Sequence, residues 1–154
     1  MARTDPLLRL LHVLESSPAM YISQSGIWSY PGAEALKLAL ADLVDDQKSL
    51  ATRAGTILED RGATLPRVAF PLSYTAWHDL DVSYLMPRVL DRLRAQAAEC
   101  EALAATAEND AAAADLAAEA MHSARRHLAG LEQVVARHRA GPEATGTAAP
   151  SAAP

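Results

Sequence analysis

Between Gly32 and Arg61, the residues Leu36, Leu40, Leu43, Val44, Leu50, Ala51, Ala54, Ile57 and Leu58 recur at helical spacing over many turns. An alternating strand cannot absorb that period, so the segment predicts one long helix with a core-facing stripe. Gly62 follows the last apolar pair and is a natural terminator. A helix this long buries its stripe only against other helices, and the rest of the chain supplies them. It is rich in Ala, Leu, Glu, Asp and Arg and has one Phe and two Trp, a balance that favours helix over sheet.

A first helix is expected from Pro6, with Thr4 or Asp5 as cap and Pro in the first turn, where its missing N–H costs nothing. Leu7, Leu8, Leu10, Leu11 and Leu14 form its apolar face, and Pro18 is expected to bend it before it ends near residue 28. The SYPG turn at 29–32 separates it from the helix over 32–61. Residues 63–79 hold two prolines and most of the remaining aromatics, which predicts a packed connecting loop or a short crossing helix. A third helix covers about 80–108, and Pro87 is tolerable only in its first turn, which puts the start near Ser83 or Tyr84. Asn109 and Asp110 can cap a fourth helix over about 110–139. The fold expected is all-α, an antiparallel four-helix bundle over 1–139 with a longer connection between the second and third helices. Residues 140–154, small and Pro-rich, bury too little to offset their ordering entropy and are expected to be disordered. Many core positions are Ala, so the core is thin, and a homo-oligomer is expected to supply the missing burial.

Fourteen basic and nineteen acidic residues give a net charge of −5 without a concentrated basic face, which excludes a nucleic-acid role. No apolar run reaches a membrane span, and Arg9 and His12 interrupt the only leader-like stretch. Cys100 is alone, so no internal disulfide forms, and a soluble, cytoplasmic protein is expected. Its neighbours Glu99 and Glu101 should raise its pKa and blunt its reactivity. No Gly-rich phosphate loop or catalytic triad is present.

LVDDQKSLATRAGTILEDRGATLP, residues 43–66, and ENDAAAADLAAEAMHSARRHLAGLEQV, in the last helix, resemble the second and last helices of the ferritin-like superfamily. The likeness is to bacterioferritin and to the starvation-induced, Dps-type mini-ferritins, and it covers about residues 7–138. It implies the same helical order and a carboxylate-bridged di-iron centre, which takes acids from all four helices and histidines from two. In the bacterioferritin register Asp46 falls where the second helix supplies Glu, Ser49 where it supplies His, and Gln47 where a haem-ligating Met stands. His127 matches a ligand His, but Ala124 takes the Glu position, the third-helix Glu falls near Gln96, and the first-helix Glu falls on Ser16 or Ser17 beside Glu15. In the mini-ferritin register Ala51 and Gly55 replace the paired acids, and YISQSGIW lacks the inward histidines.

Periodicity, taken without the resemblance, places Gln47 at the centre of the second stripe and Asp46 at its edge. A buried Gln needs hydrogen-bond partners, and Gln96 or a hydroxyl of the first helix can supply them. Glu119 and His122 spell Glu-x-x-His, one turn apart, but share with Asp115 and Arg126 the face opposite the apolar stripe. His127 sits at that stripe's edge. Trp28, Tyr30, Phe70, Tyr74, Trp77 and Tyr84 lie near helix ends, where they can close the core or form a surface for a protein partner.

The leading expectation is a ferritin-like bundle without the usual iron centre, neither an enzyme nor a cofactor carrier, acting as an oligomeric or partner-binding scaffold. Two rivals remain open. One is an iron-binding, ferroxidase or iron-storage protein using Glu15, Asp46, Glu119, His122 and His127 as metal ligands. The other is a helical adaptor unrelated to ferritins.

Overall fold

The computed structural model describes residues 5–141, and within them the chain is all-helical, with no strand. The α-helices are α1 (Pro6–Glu15), α2 (Pro18–Ser25), α3 (Glu34–Asp60), α4 (Val82–Thr106) and α5 (Ala111–Ala140), with a 3-10 segment over Leu72–Trp77. The expected disordered tail lies outside the described residues apart from its first two positions.

Caps fix most of the boundaries. The Asp5 carboxylate accepts from the Leu7 N–H at 2.8 Å, and Asp81 accepts from the Ser83 N–H at 2.7 Å. Asp110 accepts from the Ala113 N–H at 3.1 Å. At the end of α3, Gly62 takes φ +75°, Ala63 N–H donates to the Leu58 carbonyl, and Gly62 N–H donates to that of Glu59. These paired bonds make a Schellman cap that only a residue at ease with positive φ can close cheaply.

Two boundaries differ from expectation. The single bent helix is two helices, because Ser17 leaves helical geometry at ψ 151° and its Oγ accepts from the Met20 N–H, which starts α2 afresh with Pro18 in the first position. Ser16 closes α1 by donating its hydroxyl to the His12 carbonyl at 2.6 Å. In α4 the helix begins at Val82, so Pro87 stands beyond the first turn. Pro87 is exposed, and water can serve the carbonyl one turn back that it leaves without a donor.

The direction of each helix follows from the apolar clusters it feeds. One cluster takes Leu36, Leu40, Leu43 and Val44 of α3, then Val82 to Ala97 of α4, with Ala124, Leu131 and Val135 of α5 and Ala19 to Ile22 of α2. The other takes α1, Leu50 to Leu58 of α3, Cys100 and Leu103 of α4, and Ala113 to Ala120 of α5. Thus α3 and α4 run from the first cluster to the second, while α1–α2 and α5 run back. The ends agree: Val82 N–H donates to the Trp28 carbonyl, and Tyr30 N–H donates to Asp81, beside the start of α3. At the opposite end Arg61 forks onto Asp110 at 2.7 and 2.9 Å. A 27-residue helix is ~40 Å long, so the connection from Arg61 to Asp81 crosses the molecule lengthwise. Phe70, Tyr74 and Trp77 fasten it by packing around Tyr21 of α2 with ring centroids 5.2–6.4 Å away.

The fork from Arg61 holds the Asp110 carboxyl below the usual carboxylate range. A depressed acid contributes stability above its unfolded pKa and loses it as pH falls through the folded value. Asp110→Asn should therefore melt roughly 2 °C below the parent near neutrality, with the gap closing as pH falls below about 4. Thermal unfolding monitored by circular dichroism across that range checks it; a gap that widens in acid would contradict the sign.

Candidate functional site

Midway along the molecule, between the two apolar clusters, the helices contribute polar side chains: Ser17 ahead of α2, Gln47 of α3, Gln96 of α4 and Ser123 of α5, all buried. Ser17 Oγ donates to Gln47 Oε1 at 2.8 Å, and Gln47 Nε2 donates to Gln96 Oε1 at 3.0 Å. Both partners that the period offered Gln47, the hydroxyl and the amide, are found. The chain of bonds is neutral from end to end, and the buried polar residues described contain no acid and no imidazole. Leaving any link unpaired in so dry a place costs about 1–3 kcal/mol, which explains why the three occur together.

The candidate metal ligands lie outside this layer. Asp46, Glu119 and His122 line a surface groove of about 420 Å³ between α3 and α5, and His127 reaches its edge by bonding Asp46 at 2.5 Å. Glu15 is elsewhere, in a cleft on the other side of α3 with Lys48, Thr52 and Glu59. Partial burial raises its pKa, and the nearby His12 opposes that only in part. Within the groove two of the three acids already face a cation: Arg53 donates to Glu119 at 2.6 Å, and Arg126 stands 3.6 Å from Asp46, while Asp115 lines the wall without an ion pair among the described residues. The hydrogen bond from Arg53 lowers the Glu119 pKa despite some desolvation. Among the described residues no three of His, Cys, Asp and Glu group as a metal ion would require. A cation would therefore have to displace Arg53 and Arg126 to use the oxygens of Glu119 and Asp46.

Sequence reading missed these arginines as the groove's second half. A pairing 66 residues apart, such as Arg53 with Glu119, leaves no local signal. It also missed Tyr21, whose ring lies at the centre of the aromatic group holding the crossing connection.

Cys100 is fully buried, and burial together with Glu99 pushes its thiol up to about 12. A thiol so disposed should react with a disulfide reagent at least about 100-fold more slowly in the native chain than in urea. Equal rates would show the site to be open.

No family model matches this chain, and neither the characterised proteins nor the solved structures compared with it provide a match. Among the described residues, no helix is long and apolar enough to cross a membrane.

Proposed function

We propose that this chain is a ferritin-like four-helix bundle, α1 and α2 counting as one broken arm, whose centre is not a di-iron site and which works as an oligomeric or partner-binding scaffold. The observation that carries the reading is the neutral Ser17–Gln47–Gln96 chain at mid-height. In the register of the resemblance, the first-helix acid falls near Ser16 or Ser17 and the third-helix acid near Gln96. Two ferrous ions need several carboxylates to balance their charge, and hydroxyl and amide groups committed to one another do not fit that need. The parallel course of α3 and α4 with one lengthwise connection supports the bundle reading. A scaffold role draws on Trp28, Tyr30, Leu38, Leu72 and Tyr84, large apolar side chains left 45–87 % exposed. Trp28 and Tyr30 pack edge to face at 4.9 Å, beside the start of α4 that carries Tyr84.

The rival, an iron-binding protein, has one observation in its favour: Asp46, Glu119, His122 and His127 meet at one groove. Aerobic titration of the purified protein with Fe(II) separates the two. The scaffold reading expects no stoichiometric iron and no oxygen uptake, with light scattering giving a mass above one chain. About two ions per chain, with oxygen consumed, would sink it.

A further inference from the structure

Where the crossing connection meets α1 and α4, a cleft of about 450 Å³ opens between His12, Ser16, Phe70, Pro71, Tyr74 and Arg92, with Ser73 also lining it. Its lining holds basic and hydroxyl groups and no acid, whereas the other clefts described all mix in carboxylates. The size falls within the ~300–1,000 Å³ of ordinary small-molecule sites.

The donors are largely uncommitted. Arg61 forks onto Asp110 and Arg94 reaches Asp91 and Glu132 at 3.0 and 2.7 Å, but the ion pair of Arg92 is a single 3.6 Å approach to Glu99. The Arg92 guanidinium instead lies beside the Tyr74 hydroxyl. Both groups line the cleft, so a ligand there can meet the guanidinium and the phenol together. Ser16 has already given its proton to the His12 carbonyl and offers only lone pairs. Phe70 and Pro71 add an apolar part to the lining, and the Phe70 ring is held edge-on by Tyr21 at 5.2 Å.

We infer that this cleft binds a small organic carboxylate with a flat apolar body, the carboxylate taking N–H bonds from Arg92 and the O–H of Tyr74, the body lying on Phe70 and Pro71. One guanidinium, partly answered by Glu99, balances a monoanion and falls short of a phosphate dianion. The planar Arg fork matches the two carboxylate oxygens. The inference rests on the connection and its cleft and stands whether or not the bundle reading holds.

Benzoate is the probe, with benzamide as its uncharged counterpart and inorganic phosphate as an anion without a body, each titrated into the full chain by ¹H–¹⁵N correlation spectroscopy. Benzoate should shift the amides of Ser73 and Tyr74 and the Arg92 Nε–H saturably, and benzamide and phosphate should bind at least about ten-fold more weakly. Arg92→Gln should lose about ten-fold in benzoate affinity and Tyr74→Phe, which keeps the ring, about three-fold. Arg94→Gln, an arginine already paired, should lose nothing. Absence of saturation by benzoate, equal binding of benzamide, tighter binding of phosphate, or full affinity in Arg92→Gln would overturn the assignment.

Discussion

Leu40→Ala should lower the unfolding free energy by about 3 kcal/mol, the largest loss expected from a single substitution. Leu40 is completely buried among Leu36, Leu43, Val44 and the Leu and Met side chains of α4. Removing its isobutyl group deletes transfer energy and leaves a cavity. The close-packed Leu, Val and Met side chains around it relax only in part, so much of that cavity persists. Total stability in a domain of this size is roughly 5–15 kcal/mol, so the loss should be plain as a lower urea midpoint. Leu38, two residues along the same helix and 66 % exposed, is the control. Leu38→Ala should change stability by less than about 0.5 kcal/mol. Similar losses at both positions would mean that α3 presents a different face to the core.

Gln47→Leu should cost about 2–3 kcal/mol despite placing a more apolar side chain in a buried position. It strands the Ser17 hydroxyl and the Gln96 carbonyl, each of which now bonds Gln47. The double variant Gln47→Leu/Gln96→Leu removes the second orphan as well, while Ser17 keeps its bond from the Met20 N–H. It should be more stable than the Gln47 single variant by at least about 1 kcal/mol. The sign of that coupling, read by denaturation of the singles and the double, decides the matter. Additive losses would show that the amides do not act on each other. The double variant also joins the two apolar clusters into one seam, so it should bind a hydrophobic dye more strongly if the layer fixes helix register.

The parts of this protein that were legible in its residues are those set within a turn or two of chain. Asp5, Asp110 and Gly62 mark helix ends because a carboxylate reaches an N–H two or three residues on, or because a positive φ is needed. The burial of Gln47 follows from the same 3.6-residue period that places Leu43 and Leu50. Even its partners could be named, since few hydroxyls or amides lie on the other inward faces. Pro87 stands deeper in α4 than the first-turn rule allows because its side of the helix faces water, which can serve the carbonyl one turn back.

The sequence by itself determined that this chain is helical, the course of its long helices to within a few residues, and that a neutral amide lies in their midst. Those properties rest on local hydrogen bonds, side-chain volume and periodicity. Only the tertiary structure decided the parallel course of α3 and α4, the lengthwise path of residues 61–81, and the meeting of Asp46 with His127 across 81 positions. Packing chose these by fitting apolar stripes against one another, and a stripe's sequence states what it must bury without stating against which neighbour.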